Sequence, residues 1–186
     1  FRKYQLREGD NAAWVWEHQA LTRARFSAGN REVGFIFDDV RAEVLCQQRQ
    51  VDQLRNEIFE MRRKVHAGHP NIGTEFDLKH DAGGMVDVEF IVQFLVLAYA
   101  HQYPQLIANL GNIALLRIAG ELGLIETSEA QLVGNAYRLL RALQHRLRLD
   151  GADKTRIVLD QNPEMMAARD AVSALWLKIF QAPSSP

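Results

Sequence analysis

From Met85 to Ala100 the chain is apolar except for Asp87, Glu89 and Gln93. Such a run must be covered on nearly every side once the chain folds. It is too short to cross a bilayer, so it enters a protein core, and the rest of the chain has to wrap it. Gly83 and Gly84 stop a charged segment directly in front of it, and Asp87 and Glu89 sit in its first turns. Carboxylates are costly to bury unless they are paired or hydrogen-bonded. Whatever accommodates these two constrains both the fold and the function.

A chain of 186 residues can bury one sizeable core, or one core with a small appendage. The formal net charge of −1 gives no field that draws in nucleic acid or an anionic membrane, so neither is expected as a partner. Cys46 is alone, which excludes an internal disulfide and fits a reducing cytoplasm. No signal peptide is visible, and a start at Phe1 in place of Met reads as a piece of a longer protein.

Nearly the whole pattern is helical. Ala13, Trp14, Trp16, Ala20, Leu21 and Ala24 predict a helix over 12–25 with its aromatics in the core. Ser27 to Asn30 breaks it. A second helix is expected over 31–46, with Val33, Ile36, Phe37, Val40 and Val44 on one face, and a third over 50–66 through Val51, Leu54, Ile58, Met61 and Val65. Arg62, Arg63 and Lys64 fall in its last turns, where cations suit the helix dipole. Turn residues from Gly68 to Gly73 mark the best sub-domain boundary. Glu75 to Asp81 reads as short and extended. Helices are expected over 85–102 and 112–122. Ser128 and Gln131 fit a capping box that opens a helix reaching Leu149, with Leu132, Ala136, Leu139, Leu140, Leu143 and Leu147 buried. Asn162-Pro163 starts a last helix reaching Phe180. The expected class is all-α, an antiparallel bundle with short loops.

Three constellations carry possible chemistry. Gly83-Gly84 before a helix either presents bare N–H groups to a phosphate or simply makes a turn. Asp87 and Glu89 either match the helix dipole, hold a metal ion, or orient a cation such as Lys79. Arg138, Arg141, His145 and Arg148 line one ridge of the helix after Ser128, a ridge that docks phosphates or an acidic surface or is merely solvated. Arg23 and Arg25 offer a smaller basic face of the same ambiguity. His66, His69 and His80-Asp81 have the wrong spacing for a His-Asp metal phosphohydrolase. No Walker loop, Ser-His-Asp elbow or paired CxxC is present.

Trp16-Glu17-His18-Gln19-Ala20-Leu21-Thr22-Arg23-Ala24-Arg25 is followed by Phe76-Asp77-Leu78-Lys79-His80, then Gly83-Gly84-x-x-Asp87-x-Glu89-Phe90. Asn109-x-x-Asn112-x-Ala114-Leu115 and Tyr137-Arg138-Leu139-Leu140-Arg141-x-Leu143-x-His145-Arg146-Leu147 come after these in order. Together they resemble the glutamate–ammonia-ligase adenylyltransferases, over nearly the whole chain. The resemblance implies a bacterial enzyme of two homologous halves, each a nucleotidyltransferase domain followed by a helical domain. One half adds AMP to glutamine synthetase and the other removes it. It implies that 1–30 is the tail of a nucleotidyltransferase domain, 31–68 linking helices and 74–182 the helical bundle. The early end after the last helix favours the C-terminal, adenylylating half.

It also implies ATP and magnesium as cofactors of the parent enzyme, none held tightly by this piece. The implied partners are glutamine synthetase, the PII signal protein and the absent nucleotidyltransferase domain. The family's Gly-Ser turn with an Asp-x-Asp pair does not occur here. Asp38-Asp39 lies within an expected helix and does not replace it. No catalytic residue is therefore assigned, and the piece alone is expected to be inactive. Lys79, Gly83, Gly84, Asp87, Glu89, Arg23 and Arg25 are the candidates for contact with nucleotide or target. Arg138, Arg141, His145 and Arg148 are the docking candidates of the competing reading, a non-catalytic module that binds glutamine synthetase or PII. A third reading is the related uridylyltransferase for PII, whose helical domain is similar.

Overall fold

A computed structural model describes residues 1–8 and 12–181. The described residues are helical almost throughout. In order they form α1 (Arg2–Gln5), α2 (Val15–Leu21), α3 (Arg31–Leu45), α4 (Val51–Gly68), β1 (Phe76–Asp77), α5 (Met85–Tyr99), a 3-10 turn (Pro104–Ile107), α6 (Asn112–Glu121), α7 (Thr127–Leu149), β2 (Arg156–Ile157), a second 3-10 turn (Leu159–Gln161) and α8 (Pro163–Phe180). The all-α expectation holds. Its one exception is the two-residue antiparallel ladder, with Phe76 opposite Ile157 and Asp77 opposite Arg156. No helix among the described residues is long and apolar enough to cross a membrane.

The chain divides into two compact units, with the divisions falling inside α4, inside α5 and before α6. The first comprises 1–58 and 93–110. Its core holds Leu21, Val40, Val44, Leu45, Leu54, Ile58, Leu95, Leu97 and Leu106. Arg41 is buried there too, donating to the carbonyls of Leu21 (2.8 Å), Thr22 (2.9 Å) and Ile107 (2.8 Å). Two of these are carbonyls at the end of α2, so the guanidinium closes that helix, its hydrogen bonds going to backbone carbonyls and its charge also felt by Asp38. Asn30 starts α3 by accepting the N–H of Glu32 at 2.8 Å.

The helix expected over 12–25 is short, Val15–Leu21, and faces differently. Trp14 and Trp16, expected in the core, are 68% and 49% exposed. The inward side is instead polar and largely hydrogen-bonded, although Gln19 Oε1 is buried without a partner. Gln19 donates to Gln93 at 2.7 Å, Thr22 to the Gln19 carbonyl at 2.7 Å, and the ring of His18 lies between two partners. Val33 and Ile36 of α3 are likewise exposed, at 61% and 63%, because α3 turns Gly34, Val40, Arg41, Val44 and Leu45 inward.

The second unit comprises 59–92 and the residues from Gly111 onward. Here α7 packs with both α6 and α8. The short link Leu122–Glu126 makes α6 and α7 a helical hairpin. Gly120 allows their close approach, since a Cβ there would lie 3.0 Å from that of Ala130. Three expectations need correction. The helix α7 starts before Ser128, and the Glu129 carboxylate, not Gln131, accepts the first N–H, from Glu126 at 3.1 Å. Leu132 is 59% exposed, and the buried stripe is Ala130, Val133, Gly134, Ala136, Tyr137 and Leu140. Asn162 precedes Pro163 as expected, but its side chain donates back to the Val158 carbonyl at 2.9 Å and does not cap α8.

Candidate functional site

The segment 76–89 lies wholly in the second unit and is built as a knot of local bonds. Leu78, fully buried, extends the ladder by donating its N–H to the Thr155 carbonyl at 3.0 Å. Asp77 turns the chain by accepting the N–H groups of Lys79 (2.9 Å) and His80 (3.0 Å). Asp81 accepts the N–H of Asp77 at 2.8 Å and the amide of Asn71 at 2.6 Å. The chain then doubles back. Gly84, Met85 and Val86 donate to the carbonyls of Asp81, Leu78 and Lys79 at 2.9, 3.0 and 3.1 Å.

This geometry decides what the two glycines do. Gly83 has φ +82°, a left-handed backbone that glycine adopts freely. A Cβ there would meet Arg169 Cγ at 2.5 Å, the Arg169 carbonyl at 2.6 Å and Ser173 Oγ at 2.7 Å, all on α8. Its N–H donates to Asp87 at 2.6 Å. The N–H groups of Gly83, Gly84, Met85 and Val86 are therefore all engaged within the protein, and the start of α5 is closed by its own loop.

The carboxylates also find protein partners. Asp87 is 4% exposed and Arg62 6%. Arg62 Nε donates to Asp87 Oδ1 at 2.5 Å, and Nη2 to the His80 carbonyl at 2.8 Å. The cation beside Asp87 is thus Arg62 from α4, not Lys79, which is exposed. Burial pushes the Asp87 carboxyl above its ordinary value, and Arg62 and the Gly83 N–H pull it part of the way back. Glu89 is half-buried and accepts the Tyr137 hydroxyl at 3.0 Å. Burial, then the Glu89 charge, pushes that phenol up. Among the described residues no group of three or more His, Cys, Asp or Glu is placed to hold a metal ion.

Arg62 is the residue that sequence reasoning missed. It follows Ile58 by four positions, so it borders the apolar stripe of α4. Its place among last-turn cations hid that. A cavity of about 490 Å³ beside the pair is lined by Phe59, Arg62, His66, Asp87 and Trp176. Phe59 and Trp176 stack with ring centroids 6.4 Å apart.

A second cavity, of about 340 Å³, joins two groups of sequence candidates. Lys79 and Arg148 both line it, with His69, His80, Lys154 and Arg156. The remaining ridge residues, Arg138, Arg141 and His145, are exposed along α7. Arg138 lines a different cavity with Arg117 and Glu121, and Arg141 lies 5.9 Å from the Tyr137 ring centre. Arg23 and Arg25 are exposed and belong to the first unit.

An all-α architecture with a tightly looped entry to a buried helix is thus what fold and site define. The family model for the GlnD PII-uridylyltransferase matches residues 52–172, and the chain belongs to that family. It is also 57% identical over 98% of its length to the "Bifunctional glutamine synthetase adenylyltransferase/adenylyl-removing enzyme" of Burkholderia mallei (strain ATCC 23344), covering 20% of that protein. Identity to proteins of the same name is 55% in Aromatoleum aromaticum (97% of this chain, 18% of the relative) and 50% in Nitrosomonas europaea (97% and 20%). The chain therefore spans about a fifth of the length of the curated relatives it matches.

Proposed function

We propose that this chain is the helical part of an enzyme that transfers AMP from ATP to a tyrosine of glutamine synthetase and reverses the transfer in its other half, in the cytoplasm. The observation that carries this is 57% identity across 98% of the chain to a protein named for that activity. Magnesium would neutralise phosphate charge in such a transfer. In this reading its ligands belong to the nucleotidyltransferase domain elsewhere in the enzyme.

In this reading each residue has its own role. Lys79 meets phosphate. Gly83 and Gly84 shape the turn that presents it. Asp87 and Glu89 fix α5 through Arg62 and Tyr137, and so hold that turn. Arg23 and Arg25 face the nucleotidyltransferase domain. In the complete enzyme, Lys79→Gln is expected to lower kcat for AMP transfer about tenfold, the loss of one charge-assisted phosphate contact. Labelled AMP incorporation into glutamine synthetase measures it. Unchanged turnover in a variant with an unchanged melting temperature sinks the assignment of Lys79.

A second reading, docking without nucleotide contact, is favoured by the exposure of Arg138, Arg141, His145 and Arg148 along one side of α7. Glutamine synthetase and PII are its partners. Substitution of that ridge would then raise KM for glutamine synthetase and leave kcat alone.

A further inference from the structure

We propose that the cavity lined by Lys79, Arg148, Lys154 and Arg156 is a binding site for the oligophosphate chain of a small molecule. Its walls come from four separated stretches of the second unit: the turn after α4, the end of β1 and the turn after it, the last turns of α7, and the loop that leads into β2 with Arg156 of that strand. The β1–β2 ladder clamps them together. Asp77 faces Arg156 in register, and Leu78 bonds Thr155, so Lys79 and Lys154 are brought to one rim.

Four cationic side chains line this space against two carboxylates, Asp77 and Asp153. Asp77 is already engaged by the N–H groups of Lys79 and His80, and it lies 3.7 Å from Arg156 Nε. Arg148 is steadied by the Asp153 backbone carbonyl at 2.9 Å, which orients its guanidinium without neutralising it. Among the described residues neither ammonium, of Lys79 or of Lys154, forms an ion pair. Arg156 Nε is buried with no hydrogen-bond acceptor. Donors are thus in excess, and they approach from several sides.

That distribution selects the ligand. A single carboxylate is satisfied by one guanidinium fork, whereas an oligophosphate carries charge at successive positions and takes forks and point charges together. A volume of about 340 Å³ suits a small molecule. On one wall the rings of His69 and His80 stack with centroids 4.1 Å apart and planes 7° apart. Burial holds His80 below its ordinary value, with His69 and Lys79 adding to this against Asp77, so this planar wall disfavours a charge on the His80 ring. The inference does not rest on the AMP-transfer reading. It rests on the cavity, and it survives if the enzyme proves to be another member of the family.

Calorimetric titration of the 186-residue chain with sodium tripolyphosphate at low salt tests it, with ATP and adenosine as parallel arms. Tripolyphosphate is expected to bind with a Kd of about 10–100 µM, weakening as salt is raised. The Lys79→Gln, Arg148→Gln double variant should weaken it at least about tenfold, and Lys64→Gln, an equal charge loss per site at an exposed position of α4, by less than about twofold. ATP binding equal to or tighter than tripolyphosphate, with adenosine silent, supports the site. No heat with about 1 mM tripolyphosphate, equal weakening by Lys64→Gln, or tighter binding of hexaglutamate than of tripolyphosphate overturns it.

Discussion

Arg62→Ala is expected to lower unfolding stability by about 3–5 kcal/mol at pH 7, the usual result of stripping one partner from a buried ion pair. The cost comes from what is left behind. Asp87 stays buried at 4% exposure, opposed chiefly by the Gly83 N–H at 2.6 Å and more weakly by His66. The His80 carbonyl loses its Arg62 donor as well and keeps only the His66 ring nitrogen at 3.3 Å among the described contacts. The sign of the pH dependence separates this from simple loss of packing. Burial already holds the Asp87 carboxyl above its ordinary value, and without Arg62 it rises further. A raised carboxyl favours the folded state below its unfolded value and loses that advantage as pH rises through its folded value. The deficit of Arg62→Ala should therefore shrink between pH 7 and pH 5. Urea unfolding at the two pH values measures this. A deficit that is equal at both would mean that the lost guanidinium acted by filling space alone.

The first unit is expected to lose about 3 kcal/mol of stability as pH falls from 6.5 to about 4, through His18 alone. The ring is fully buried. Nε2 lies 3.0 Å from the Gln5 carbonyl, and Nδ1 lies 3.1 Å from Arg49 Nη1. A guanidinium only donates, so Nδ1 accepts, and the single ring proton sits on Nε2. Protonation would place a proton on Nδ1 against Arg49. Burial first, then Arg49, lowers His18 to about 4 from 6.5. A histidine depressed in the folded state binds its proton in the unfolded state first. Its contribution is therefore whole above about 6.5 and is lost on the way down to about 4. Chemical denaturation across that range should show the slope, and His18→Gln should flatten it. A slope untouched by the substitution would assign acid lability to other groups.

The helices were legible because their apolar residues recur at regular steps and Gly, Pro and Asn punctuate them. The starts of α3 and α8 and the ends of α4 and α8 are readable in this way. Which face each helix buries was less legible. Around α2 the core takes His18, Gln19 and Thr22 and leaves Trp14 and Trp16 outside, because the His18 ring and the Gln19 amide nitrogen find partners in Gln5, Arg49 and Gln93. Local periodicity holds no record of such partners. The same limit applies to the candidate site. That Asp87 and Glu89 needed partners could be read from the apolar residues around them. That the partners are Arg62, 25 positions earlier, and Tyr137, 48 positions later, could not. The β1–β2 ladder is only two residues on each side and carries no pattern of its own, yet it gathers Lys79, Arg148, Lys154 and Arg156 around one cavity.

The carboxylates at the entry to α5 are thus explained by pairing within the helical unit, and Lys79, in the turn after β1, forms no ion pair among the described residues. An enzyme that uses this unit to position phosphate cannot transfer AMP without it. The most direct measurement is transfer of labelled AMP from ATP to glutamine synthetase by the complete enzyme, by the enzyme with this chain removed, and by the shortened enzyme with the chain added back. The account predicts loss of transfer on removal and its recovery on adding the chain. Full transfer by a folded, shortened enzyme would contradict it.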